Sequence, residues 1–194
     1  MLAAIDRSVL FFINRDLANP ILDYLFIVLS EQRFLFGILG IIVAVMIIRK
    51  VPHTGNMIIL CLIGLALTDP ICSQILKKLV MRPRPCHSIP QLREIMECGG
   101  LYGFPSNHAA NSAVVAYIVG RFRHRLILFM WLLAAAVGFS RIYLAKHYPS
   151  DVLAGFLFGI LMGMIILWVR RMIAYPRRRK PDNVAANSGG DLAP

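Results

Sequence analysis

Three short clusters of basic, imidazole and hydroxyl side chains interrupt long apolar runs in this 194-residue chain. The first holds Lys77 and, seven residues on, Arg84-Pro85. The second is Pro105-Ser106-Asn107-His108, and the third is Ser140-Arg141 followed by His147 and Asp151. Together they supply three fixed cations, two imidazoles, one carboxylate and a helix start rich in free N–H groups. Such a set suits chemistry on a phosphate. A guanidinium fork grips a tetrahedral oxyanion in bidentate fashion, and an ammonium adds a point charge. Proline with Ser or Asn at a helix start leaves backbone N–H groups at the positive end of the helix, which is an anion site. His147 with Asp151 four residues later lets the carboxylate accept the Nδ1–H and leaves Nε2 as a nucleophilic lone pair. Each cluster alone also has a plainer reading. Lys77, Lys78, Arg82 and Arg84 could be cations snorkelling to a membrane surface. His108 could be an interfacial residue on a capped helix, and Asp151 a cap beside a spectator histidine. It is the three together, in this order, that favour chemistry.

The elements that must position these groups are membrane helices. Hydrophobic residues make up 58% of the chain and the mean hydropathy is +0.66, whereas soluble domains are only about half apolar. A spanning helix needs about 20 apolar residues. Spans are expected over 34–48, 56–76, 106–120, 126–139 and 152–169. A polar loop with one short helix is expected over 81–104. Residues 6–17 read as an interfacial amphipathic helix and 21–30 as a half-span, with one further spanning helix as the alternative. The expected fold is therefore all-α, an integral membrane bundle of five or six transmembrane helices. It forms one domain over 1–175, with interfacial or half-spanning N-terminal helices over 1–32 and an outer loop over 79–104. Residues 176–194 lose apolar content and read as a basic, disordered tail.

A net charge of +11 could serve nucleic acid or an anionic membrane. The cations sit at the ends of apolar runs rather than along one amphipathic face, which favours the membrane and excludes nucleic acid as the expected partner. With five spans between residues 34 and 169, one side of the bilayer holds 11 Lys/Arg against 2 Asp/Glu, and the other is nearly balanced. The positive-inside rule puts the basic side, with the C-terminus, in the cytoplasm and the three clusters outside. The expected location is a bacterial cytoplasmic (inner) membrane, crossed several times. No cleavable signal peptide is expected, because residues 1–17 carry Asp6, Arg7, Arg15 and Asp16. Cys61 and Cys72 read as buried thiols. Cys86 and Cys98 flank the outer loop, where a disulfide is possible. No cysteine spacing points to a metal, and no carboxylate cluster would hold one.

Two more residues draw attention. Asp69 lies inside a span, where a charge normally has a partner. At helical spacing it shares a face with Ser73 and Lys77, so it is expected to support a polar column beneath Lys77. Lys146, beside His147, could meet a substrate headgroup, but a solvated side chain is the favoured reading.

In order and spacing the three clusters resemble the signature of the type-2 phosphatidic acid phosphatase (PAP2) superfamily, which includes bacterial membrane lipid phosphatases and vanadium haloperoxidases. That pattern is Lys, six residues, Arg-Pro; then Pro-Ser-Gly-His; then Ser-Arg, five residues, His, three residues, Asp. The resemblance covers residues 77–151, and Asn107 stands where glycine is usual, which keeps the backbone N–H but alters the loop. The resemblance implies a PAP2/haloperoxidase-like bundle and a hydrolase. It implies that His147 attacks phosphorus to form a phosphohistidine, that Asp151 holds its ring and that His108 protonates the departing oxygen. Lys77, Arg84, Ser106, Asn107 (through its backbone) and Arg141 would bind the phosphoryl oxygens. It also implies that no metal or other cofactor is needed. The expected partners are a lipid phosphate or diphosphate and the surrounding lipids, with undecaprenyl diphosphate favoured. Phosphatidylglycerophosphate, phosphatidic acid and lipid A 1-phosphate stay open. A non-catalytic anion- or lipid-binding membrane protein is the alternative of a different class, and the paired histidines argue against it.

Overall fold

Caps and prolines set the helix boundaries. The computed structural model describes residues 2–174, and the tail expected over 176–194 lies outside them. Helix α1 (Leu2–Phe11) runs into a π-helical turn at Phe12–Asp16. Helix α2 (Pro20–Ser30) opens on Asn19, whose side chain accepts the Ile21 N–H. Pro20 follows in the first turn, where its missing N–H costs little. Helix α3 (Gln32–Ile48) departs at a bend of 66°.

Helix α4 (Thr54–Pro70) carries a proline in its last turn. A proline removes one rung of the hydrogen-bond ladder, and a π-helical turn at Ile71–Leu76 follows before α5 (Lys77–Val80). Thr54–Val80 is nonetheless one continuous stretch of 27 helical residues. Met81, in the left-handed conformation, stops it. The expected loop contains the short α6 (Pro85–Ser88), again with proline in its first turn. Then come α7 (Asn107–Phe122), α8 (Ile127–Tyr143) and α9 (Pro149–Ala174). Among the described residues there is no strand, only a bridge between Pro83 and Tyr102 within the loop.

Helix α7 is the axis of the bundle. Ala109, Ala110, Ala113, Val114, Ala116 and Ile118 are fully buried. Gly155, Gly159 and Gly163 of α9, one turn apart, face Ser106, Ala109, Ala110, Ala113 and Tyr117. A Cβ on Gly155 would stand 2.5 Å from the Ser106 carbonyl oxygen, so only glycine permits this approach. Lipid provides no hydrophobic drive to press helices together, and such small-residue seams let backbones meet at van der Waals distance. The outward faces are apolar. Ile41, Ile48, Leu128, Leu132, Leu157 and Ile173 are all more than half exposed, as expected for a surface solvated by lipid.

Among the described residues, three helices are long and apolar enough to cross a membrane: Thr54–Val80, His124–Tyr143 and Pro149–Ala174. Pro20–Ser30 with Arg33–Ile48 makes a fourth if the bent pair is one broken span. The expected bundle of five or six also counts α7, whose 16 residues, about 24 Å at 1.5 Å per residue, are fewer than in these long helices. The N-terminal segment, expected as an interfacial helix and a half-span, turns Asp6, Leu10, Ile13 and Asn14 into the protein. Asn14 donates to the Tyr143 carbonyl at 2.7 Å and accepts the Arg93 N–H at 2.8 Å. Phe26 of α2 packs on Phe139 and Tyr143 of α8.

Candidate active site

The three clusters meet where the start of α7, the end of α8, the start of α9 and the 81–104 loop come together. The α7–α9 seam joins two of them directly, since the Ser106 N–H donates to the Asp151 carbonyl at 3.0 Å. Ser106 occupies the N-cap of α7, yet its hydroxyl makes no capping bond. The side chain is fully buried and its Oγ has no partner. Arg141, in the last turn of α8, is 4% exposed. One of its amino groups meets Ser30 Oγ, and its Nε is unpartnered. An orphaned buried polar group costs about 1–3 kcal/mol, so these atoms are held ready for something that would complete them.

A tight turn links α8 to α9. The N–H groups of Lys146 and His147 both donate to the Arg141 carbonyl, at 3.0 and 3.2 Å, and Ala145 adopts a positive φ of 55°. The turn sets His147 at 1% exposure. Burial, reinforced by the charges of Arg141, Arg84, Lys77 and His108, holds its imidazole pKa well below the ordinary value. The ring therefore stays neutral, and those four neighbours come from all three clusters. Lys77 and Arg84 are half-buried, as is His108 in the first turn of α7.

Arg84 is steered by main-chain carbonyls rather than by an acid. Its Nε donates to the Tyr102 carbonyl at 3.3 Å and its Nη1 to the Cys98 carbonyl at 3.2 Å. The Cys86–Cys98 pairing that the sequence left open is a disulfide, with Cα atoms 5.9 Å apart, and it closes the loop carrying those carbonyls. Gly103 lies between Arg84 and Asp151. A Cβ there would come within 3.1 Å of Asp151 Oδ2 and 3.2 Å of Arg84 Cγ, so the close approach needs glycine. Cys61 and Cys72 are buried free thiols, as expected.

Several expectations need correction. Asp151 was read as the hydrogen-bond acceptor of His147 Nδ1, but the two stand 3.7 Å apart and Nδ1 has no partner. The carboxylate is instead held by Arg82 Nη1 at 2.7 Å and by the Tyr148 N–H at 3.0 Å. In the sequence Arg82 stood out only as one of the cations that could snorkel to the membrane surface. Asp69 was expected to support a polar column beneath Lys77. Its Oδ1 accepts the side-chain amides of Asn107 and Asn111, each at 2.9 Å, while Ser73 Oγ donates to the Asp69 main-chain oxygen. A π-helical turn at Ile71–Leu76 widens the helix between Asp69 and Lys77. The Asn107 side chain is thus committed to Asp69, which leaves its backbone N–H for an anion. Lys146 is buried, at 9% exposure, rather than solvated. Burial lowers its ammonium pKa, with Arg141 and Arg84 pushing the same way. Among the described residues, no group of three or more His, Cys, Asp or Glu could hold a metal ion.

An apolar groove opens beside the site. Leu35, Leu39, Leu65, Met130 and Val137 line it, and His108, Asn111 and Ser112 of α7 close one wall. A cluster of cations and imidazoles thus adjoins an apolar groove.

Comparison with known proteins agrees. Residues 57–175 match the model of the PAP2 superfamily. The chain is 31% identical to the lipid A 4'-phosphatase of Bacteroides thetaiotaomicron over 87% of its own length and 78% of that protein's. It is 28% identical to the bacitracin transport permease protein BcrC of Bacillus licheniformis, over 82% of this chain and 75% of that one. The crystal structure of a transmembrane PAP2-type phosphatidylglycerolphosphate phosphatase from Bacillus subtilis superposes with a TM-score of 0.65, covering 92% of this chain and 89% of that chain at 24% identity. The protein belongs to the PAP2 superfamily and is a multi-pass membrane phosphoric ester hydrolase.

Proposed function

We propose that this hydrolase removes phosphate from a lipid phosphate or diphosphate through a phosphohistidine, with undecaprenyl diphosphate as the preferred substrate. The carrying observation is His147, neutral and buried among Arg141, Arg84, Lys77 and His108, with Asp151 behind its ring. The Nε2 lone pair attacks phosphorus in line and a P–N bond forms as the P–O bond to the leaving group breaks. His108 gives its proton to the departing oxygen, then takes one from the water that hydrolyses the P–N bond and releases phosphate. As the ring becomes cationic, Asp151 draws in its Nδ1–H. A separation of 3.7 Å without substrate is consistent with a contact that tightens during reaction. Lys77, Arg84, Arg141, the Ser106 hydroxyl and the N–H groups opening α7 stabilise the phosphoryl oxygens, so no metal ion is invoked.

The substrate class follows from charge and shape. Lys146 joins the three expected cations as a further buried positive charge. That surplus suits a diphosphate better than a monoester. The apolar groove beside His108 would take the lipid chain. A relative named lipid A 4'-phosphatase supports a phosphate carried on lipid. Phosphatidylglycerophosphate, phosphatidic acid and lipid A 1-phosphate are the alternatives. The basic side of the bundle fits the cytoplasm, which would turn the site to the outside of a bacterial cytoplasmic membrane.

The test is phosphate release by purified protein in detergent from a panel of lipid monophosphates and diphosphates. Undecaprenyl diphosphate should give the highest kcat/KM. The His147→Ala variant should lose activity by at least about 1,000-fold while eluting as folded protein, a loss of the size seen when a nucleophile is removed. Near-normal release from that variant would sink the nucleophile assignment.

A further inference from the structure

Helix α1 lies at the edge of the bundle and shows Ile5 and Val9 to its surroundings, yet Asp6 between them is only 3% exposed. Burying a lone carboxylate costs several kcal/mol, so it must be repaid by partners. Asp6 has them from two distant segments. Its Oδ2 meets Arg82 Nη2 at 2.7 Å and accepts from Ser150 Oγ, while Oδ1 accepts the Ser150 N–H at 3.0 Å. The other arm of the same guanidinium, Nη1, reaches Asp151 Oδ1 at 2.7 Å and Ser150 Oγ at 2.6 Å. The Arg82 head lies 4.1 Å over the Tyr148 ring, which fixes its plane. One cation is therefore split between two buried carboxylates, one of which stands behind the His147 ring.

The split has a chemical consequence. An arginine bound to Asp151 alone would neutralise it just where negative charge must stabilise the imidazolium. With Asp6 sharing the guanidinium, Asp6–Arg82–Asp151 keeps a net charge of minus one. We propose that Asp6 is a positioning residue for phosphoryl transfer, acting through Arg82 to fix both the orientation and the negative charge of Asp151. The inference rests on the reading of His147 as nucleophile.

The charged and titratable groups facing His147 are Arg141 from α8, Arg84 from the loop, Lys77 from α5, His108 from α7, Lys146 beside it and Asp151 from α9. Those facing Asp151 are Arg82, Arg84, Asp6 and His147. Changes at Asp6 and Arg82 leave the rest in place. Asp6→Asn keeps an acceptor for the Ser150 N–H but removes the charge. Its kcat should fall by about tenfold with KM nearly unchanged. The acidic limb of kcat/KM should move to lower pH, because His147 then gives up its proton more easily. Arg82→Gln should move that limb to higher pH. Ser150→Ala removes one hydroxyl and neither charge, and should leave the limb where it is. A mere structural tie would not give opposite shifts. The inference is overturned if Asp6→Asn keeps wild-type kcat and limb, if the first two variants shift alike, or if Ser150→Ala moves the limb as Asp6→Asn does. Should Asp6→Asn not yield folded protein, Asp6→Glu, which keeps the charge, should retain the wild-type limb while Arg82→Gln raises it; any other pair of results overturns the proposal. His147→Ala separates the two claims. If it is active, the nucleophile reading fails. If it is inactive while Asp6→Asn behaves as wild type, only the role of Asp6 fails.

Discussion

Helices α3 and α9 both carry long apolar stretches between polar ends, yet they are built for opposite tasks. Along α9, Gly155 and Gly159 lie against backbone at and near the start of α7 and Gly163 against the Tyr117 side chain, and a Cβ at any of them would collide. Along α3, Gly37 and Gly40 have nothing within 4 Å of where a Cβ would stand. Composition does not separate the two helices; partners do. In hydrocarbon, a helix gains fixed position only where another backbone can come close, so the side that sets Ser106, Arg141, His147 and Asp151 is the glycine-seamed one. Helix α3 instead forms part of the wall of the apolar groove through Leu35 and Leu39. One helix fixes the chemistry and the other faces what slides past it.

The sharpest way to break this contrast is Gly159→Leu. Its Cβ would meet the Ala110 carbonyl oxygen and the Ala113 side chain, both on the axial helix. Backbone cannot yield as a flexible side chain does, so the seam should lose about 3 kcal/mol or more. The expected result is aggregated or unrecoverable protein by size-exclusion chromatography. A folded variant with wild-type melting would mean that the seam does not hold the bundle together. A smaller effect is expected in the loop. Replacing both Cys86 and Cys98 by alanine releases a short closed segment, for which chain-entropy arguments give about 3 kcal/mol. More informative is the kinetic split, because the Cys98 carbonyl steers Arg84. KM should rise several-fold with kcat less affected, and unchanged KM would show that Arg84 is held by Tyr102 alone.

How much of this was legible in the chain follows from the range of the forces involved. The helices, the loop with its short α6 and the three clusters could be read directly, because apolar runs, prolines and motif spacing are local. The convergence of the clusters could be anticipated only through family resemblance. What escaped was pairwise and long-range. Arg82 differs little in sequence from Arg84, and nothing nearby says that one spans two carboxylates while the other takes main-chain carbonyls. Asp6 stands beside Arg7 and Ser8 in an amphipathic helix, where an acid looks ordinary, and its partners are 76 and 144 residues away. Asp69 was correctly expected to need a partner. The amides it meets, on Asn107 and Asn111, are 38 and 42 residues away, and no local spacing reveals them.

The smallest expected effect sharpens the comparison from the other side. Gly37 lies mid-helix in α3 with open space where a side chain would go. Glycine there carries the conformational entropy cost of an unbranched backbone without the close approach that justifies it on α9. Gly37→Ala should therefore leave activity unchanged and stabilise the helix, by up to about 1 kcal/mol on propensity alone. In lipid the gain should fall below that value, because membrane-embedded backbone is already driven to hydrogen-bond within its own helix. The measurement is thermal unfolding in detergent beside Gly159→Ala, the same chemical change on the packed helix. If both substitutions shift the midpoint alike, then α3 is packed against a partner of its own. If Gly37→Ala is neutral or slightly stabilising while Gly159→Ala is strongly destabilising, the site's rigidity belongs to the α7–α9 seam.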